Sequence, residues 1–175
     1  AGHWATHVAS GANVADCELA LGHLERAEAL ARDGLRALSA MGIDDNIVGH
    51  VLDMWMVART LLGRHQEALE AGHRARRLLE REGDDLRLLD TLALNATTVG
   101  RWIEAAQVAG HADAATAHRG ETRWPGSEAR RQQLQRRLSQ ALGPTTLERH
   151  LALGAGLPRE QAFALAFGDE QSDGA

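Results

Sequence analysis

Three times in this chain a glycine is followed five residues later by an alanine. The stretches are Gly22-His-Leu-Glu-Arg-Ala27, Gly63-Arg-His-Gln-Glu-Ala68 and Gly100-Arg-Trp-Ile-Glu-Ala105. Each ends one apolar helical run and opens another. Glycine takes the left-handed conformation at a helix end without a side-chain clash. A residue as small as alanine just beyond that turn lets two helix backbones come close. The pattern predicts antiparallel helix pairs stacked in series, an all-α fold.

Composition agrees. Hydrophobic residues make up 44% of the chain, which excludes a disordered polymer, whereas aromatic residues make up only 3% and tyrosine is absent. An Ala- and Leu-rich core suits close helix packing, and the β-branched and aromatic enrichment of strands is missing. With 175 residues the chain is long enough for a core. The formal charge is −5 and every basic residue is arginine. A mildly acidic chain is poorly suited to direct, sequence-independent nucleic-acid binding. The single Cys17 precludes an intrachain disulfide and points to a reducing, cytoplasmic setting. Its place on the first helix predicts an inward-facing thiol. No apolar run approaches the roughly 20 residues that span a bilayer, so no membrane partner is expected. The start at Ala1, close to a helical run, suggests a piece of a larger protein.

Apolar spacing predicts helices over residues 4–21, 24–41, 46–62, 64–82, 86–99 and 101–118. Asp44, Asp45 and Asn46 offer N-caps for the third, and Gly83 with Asp84 or Asp85 separates the fourth from the fifth. The sequence Trp124-Pro125-Gly126 marks a break in a loop over 120–126. Beyond it, Ser127 offers a cap for a polar helix over 128–141. Gly143-Pro144 and Pro158 then introduce two short helices, the last ending near Phe167. Residues 169–175 read as a disordered tail.

The aligned glycines lie 41 and 37 residues apart. At this spacing the chain resembles the tetratricopeptide repeat (TPR) family, whose period is about 34 residues and whose longer helical relatives reach the forties. Gly22/Ala27, Gly63/Ala68 and Gly100/Ala105 match its turn and first packing position. Ala31 and Gly34, Gly72 and Ala75, and Ala109 and Ala112 match its further small positions. The family's early aromatic is replaced by Gly11, Leu52 and Leu89, and its closing proline is missing. The resemblance implies a TPR-like superhelical stack of three helix pairs over residues 1–119, closed by capping helices over 127–168. The tail, with Leu142-Gly143, Gly154, Leu157-Pro158, Glu160, Gln161, Ala162 and Ala166, is similar to the end of the TPR-like region in large bacterial ATPase-type transcriptional regulators. That implies a signal-sensing part of such a regulator, working with other domains of the same chain.

The catalytic signals are thin. His3 and His7 have the spacing of two metal ligands, but no third is near and the Glu of a His-Glu-x-x-His motif is missing. Without lysine there is no phosphate-binding Gly-x4-Gly-Lys loop. Two arginine clusters, Arg74, Arg76, Arg77 and Arg81 and then Arg130, Arg131, Arg136 and Arg137, read as solvated helix faces. No cofactor, metal or catalytic residue is therefore expected.

In a TPR-like stack the first helix of each pair lines the concave surface. Counting from the glycines places Asn13, Asp16, His50, Asp53, Met54, Arg87, Asp90 and Thr91 there. Asp53 and Asp90 occupy equivalent positions, each ten residues before its glycine. The resemblance implies that an acidic chain end, held by basic groups in some TPR domains, is disfavoured by an acidic wall. Two readings stay open: a surface for a basic peptide or protein, or aspartates that merely pair with Arg87 and other neighbours. The expected role is a non-enzymatic module binding a protein, peptide or small effector. The alternatives are an oligomerisation scaffold and a small all-α enzyme domain.

Overall fold

Residues 13–123 and 125–168 are described by a computed structural model. They form helices joined by short turns, and no strand occurs among the described residues. The elements are α1 (residues 13–20), α2 (Leu24–Ala40), α3 (Asn46–Leu61), α4 (His65–Leu79), α5 (Leu89–Thr98), α6 (Trp102–Arg119), α7 (Pro125–Leu142), α8 (Pro144–Ala155) and α9 (Arg159–Phe167). Two short 3-10 turns, Glu80–Glu82 and Asp85–Leu88, link α4 to α5. The predicted helix start at residue 86 is therefore a 3-10 turn, and the α-helix proper begins at Leu89. Trp124-Pro125-Gly126 does not exclude a helix either, since α7 opens at Pro125. Proline is suited to a first helical turn, where its missing N–H has no intrahelical acceptor to lose.

The three glycine turns are the same object. Gly22, Gly63 and Gly100 have φ of 79°, 75° and 81°. The next residues, His23, Arg64 and Arg101, sit at φ/ψ of −83/66°, −91/66° and −85/65°. In each copy the N–H of that next residue donates to a carbonyl five residues back: Glu18, Arg59 or Ala96, at 2.8–3.0 Å. These are the 6→1 bonds of a Schellman end. The carbonyl of the same residue then accepts from the N–H of Ala27, Ala68 or Ala105, at 3.0 Å each time. The alanines are at most 1% exposed, and Ala31, Gly72, Ala109, Ala75 and Ala112 are buried as well.

The chain divides into two compact units at Leu88–Leu89. In the first, α3 packs against α2 on one side and α4 on the other. Its core contains Leu38, Val48, Leu52, Met56, Val57 and Leu79. Asp45 caps α3, its Oδ1 accepting from the N–H of Ile47 at 3.0 Å. In the second unit, α5 is buried along nearly its whole length against α6, α7 and α9, and α8 lies across α6. Leu134, Leu138, Ala162 and Phe163 fill the space between them at 0% exposure.

The α6–α8 crossing depends on two glycines that face opposite ways. A Cβ at Gly110 would strike the Leu151 carbonyl oxygen and lie 2.8 Å from its carbon. A Cβ at Gly154 would strike the Gln107 carbonyl oxygen and lie 2.7 Å from the Gln107 Cα. Backbone cannot move aside as a side-chain tip can. At Gly34 in α2, by contrast, the added atom would meet only Val51 Cγ1 at 3.6 Å, an ordinary contact. Gly110→Ala is expected to destabilise the protein by about 1–3 kcal/mol through overpacking. Gly34→Ala should stabilise it by roughly 0.5–1 kcal/mol, because glycine is a poor helix-interior residue. Urea unfolding followed by circular dichroism measures both, and effects of equal sign would contradict the crossing geometry.

Candidate functional site

The charged cluster of the first unit is built by α3 and the segment that follows α4. Helix α3 presents His50 and Asp53 one turn apart. Gly83, at φ 72°, ends the first 3-10 turn, and the chain then supplies Asp84 and Arg87. The Arg87 guanidinium lies among all three groups. Its Nε donates to Asp53 Oδ2 at 3.2 Å, and its Nη1 to His50 Nδ1 at 3.0 Å and Asp84 Oδ2 at 3.4 Å. A guanidinium has only donors, so His50 Nδ1 must accept. The imidazole proton therefore sits on Nε2, which lies 3.7 Å from Asp84 Oδ2. Burial and then the Arg87 charge hold His50 below its ordinary pKa, while Asp84, Asp53 and Glu82 pull the other way. Asp53 is wholly buried, and its second oxygen, Oδ1, has no hydrogen-bond partner among the described residues.

The second unit repeats the device with other residues. Arg123, in the loop before α7, donates from Nε to Asp90 Oδ2 at 2.7 Å, and from Nη2 to Asp113 Oδ1 at 2.8 Å. Arg131 of α7 grips both oxygens of Asp113 through Nε and Nη2, at 2.9 and 2.5 Å, a bidentate pairing. Burial raises the pKa of Asp90 against the pull of Arg123. Burial alone would raise Asp113 too, but its hydrogen bonds and attraction to Arg131 and Arg123 outweigh it and hold Asp113 below the usual carboxylate range. The two buried aspartates thus have matching partners. Arg87 lies 34 residues after Asp53, and Arg123 lies 33 after Asp90, each from the connection that follows the pair's second helix.

The eight residues named from the sequence have unequal access to solvent. Asn13 is exposed and Asp16 half-buried. His50 and Arg87 expose 34% and 27% of their side chains, enough to meet a ligand directly. Met54 and Asp90 are buried, and Asp53 and Thr91 are at 0%. Asp53 is enclosed beneath Arg87, which accounts for its lack of direct access. Asp53 belongs to the first unit and Asp90 to the second, and each aspartate is held by an arginine of its own unit.

Several expectations need correction. Cys17 is exposed, because the buried side of α1 is carried by Ala15 and Glu18 instead. Arg130 and Arg131 are not a solvated face: they are 7% and 8% exposed. Asp113 recruits Arg131, and Arg130 Nη2 donates to Ser127 Oγ at 3.0 Å. Arg74, Arg77, Arg81 and Arg136 are exposed, as solvated positions are. His3 and His7 lie outside the described residues. Among the described residues no group of three or more His, Cys, Asp or Glu is placed to hold a metal. No described helix is long and apolar enough to cross a membrane.

One network gives little sign of itself in the sequence. Glu28, only 8% exposed, follows Ala27 on α2 and reads as a surface acid. Arg64 Nη1 donates to both its oxygens, at 2.6 and 2.8 Å, and Arg59 Nη2 lies 3.2 Å from Oε1. Arg59 also pairs with Glu67 and stacks 3.9 Å above the Trp55 ring. The Trp55–Arg59 spacing of four on a helix was the available signal.

Compared with protein-family models, with curated proteins and with solved structures, the chain matches none.

Replacing Arg87 by Met leaves Asp53 buried and unpaired. Such a loss should cost about 3 kcal/mol in urea unfolding, and adding Asp53→Asn should recover much of it. A second expectation concerns acid. Asp113 binds its proton more weakly in the folded state than its ordinary value of 3.8. Its contribution is therefore present above that value and lost as pH falls through its lower folded pKa. Asp90, shifted upward, contributes with the opposite sign. Asp113→Asn should flatten the loss of stability in that acid window, and an unchanged pH profile would remove Asp113 from the account.

Proposed function

We propose that this chain is a non-enzymatic, TPR-like helical-repeat module of a bacterial transcriptional regulator, binding a protein, peptide or small effector. The observation that carries the reading is the identity of the three glycine turns, with the same dihedral angles, hydrogen bonds and buried alanines in each copy. Repetition of one helix-pair unit is the design of solenoid scaffolds, whose extended surfaces serve recognition. The pairing of Asp53 with Arg87 and of Asp90 with Arg123 favours a scaffold over a catalytic domain. A working general base needs a carboxylate free to take a proton from substrate. The regulator context rests on the resemblance of the tail, and the cytoplasmic setting on the single cysteine.

In the first unit, the residues best placed to meet a ligand are His50, Asp84 and Arg87, all partly exposed. Selection of a displayed peptide library against the whole chain should enrich binders. Their affinity should fall roughly tenfold in Asp84→Ala or His50→Ala, and stay unchanged in Arg77→Ala on the exposed side of α4. Equal loss in all three variants, or no enrichment, would overturn the reading. Concentration-dependent dimers in light scattering, with no peptide bound, would support an oligomerisation scaffold instead.

A further inference from the structure

Arg87 is held by three acceptors of two kinds, the carboxylates of Asp53 and Asp84 and the imidazole of His50. Asp53 is wholly buried and Asp84 half-exposed. His50 accepts from Arg87 Nη1 at 3.0 Å only while Nδ1 carries no proton. The charged groups acting on His50 are Asp53 on its own helix, and Glu82, Asp84 and Arg87 from the segment after α4. Protonation would put two N–H donors and two positive charges face to face at that separation. Arg87 belongs to the 3-10 turn Asp85–Leu88, which follows a left-handed glycine and whose two ends, Asp85 and Leu88, are wholly buried.

We propose that His50 is a proton-operated weak point of this clasp: when its Nδ1 is protonated, Arg87 Nη1 loses its imidazole acceptor on α3 and residues 84–88 are held less firmly. The device needs no ligand and holds whether or not this face binds a partner. Arg87 keeps Asp53 on α3 and Asp84 beside it. What it loses is the Nη1 contact with His50.

The sign follows from the neutral state that the geometry favours. His50 takes its proton more readily unfolded than folded, relative to its ordinary 6.5. The stability it confers is present above that value, and declines as pH falls from there through its lower folded pKa.

Amide exchange on the whole chain tests this, with rates corrected for the intrinsic effect of pH. Protection of residues 84–88 should fall about fivefold or more between about pH 7.5 and pH 5.5, with α6 unaffected. His50→Gln, whose amide oxygen accepts from Arg87 without ever charging, should abolish that fall. The His50 ring titration followed by NMR gives a second readout. Its midpoint should move down in Asp84→Asn, which loses an attractive charge, and up in Arg87→Met, which loses a repulsive one. Equal pH sensitivity in wild type and His50→Gln, or midpoints that move the other way, would overturn the proposal.

Discussion

Close approach of one helix backbone to another is the constraint on which this structure rests. A chain with so few aromatic side chains cannot fill wide gaps between helices, so the helices must come close. Two devices allow it. At the hairpins, a left-handed glycine turns the chain, and an alanine five residues on is fully enclosed. At the α6–α8 crossing, Gly110 and Gly154 remove the Cβ atoms that would otherwise strike carbonyl groups on the facing helix. In both places stability comes from contacts made along the backbone rather than from large interlocking side chains.

Close packing of small residues leaves little room for polar groups, and each one enclosed has to find a partner. The molecule meets this need with arginine. Arg87, Arg123, Arg131, Arg64 and Arg59 each pair with a carboxylate near or beneath the helix surfaces. The planar fork suits this role better than lysine would, because one guanidinium reaches several acceptors at fixed angles. Arg87 and Arg123 do more than neutralise charge. Each reaches from the connection between two helices to grip a buried aspartate on a helix, and so ties that connection to the helices of its unit.

The two clasps differ in what can disturb them. Around Arg123 the acceptors are carboxylates: burial raises the pKa of Asp90, while Arg131 and Arg123 hold that of Asp113 low. Around Arg87 one acceptor is an imidazole. The change of acceptor type sets the pH range of each tie: carboxylates titrate in acid, an imidazole closer to neutrality.

Much of the hairpin architecture was legible in the residues, because backbone rules act locally. Gly22, Gly63 and Gly100 announce their turns since only glycine is comfortable at such φ, and Asp45 announces its cap through a bond two residues away. Helix α7 was legible as a helix, but the roles of Arg130 and Arg131 were not, because nothing near them in sequence shows that Asp113 waits on α6. Gly110 and Gly154 look like weak points in α6 and α8 until the helices cross. Asp53 and Asp90 were recognisable as equivalent positions, and Arg87 as a candidate partner for them; that Arg87 holds the first and Arg123 the second was not. Sequence by itself determined where the chain turns and which helix faces are small, since those depend on a few neighbouring dihedrals. Only tertiary structure decided which charges are enclosed and by what they are held, since that depends on residues brought together from about 18 to 36 positions apart.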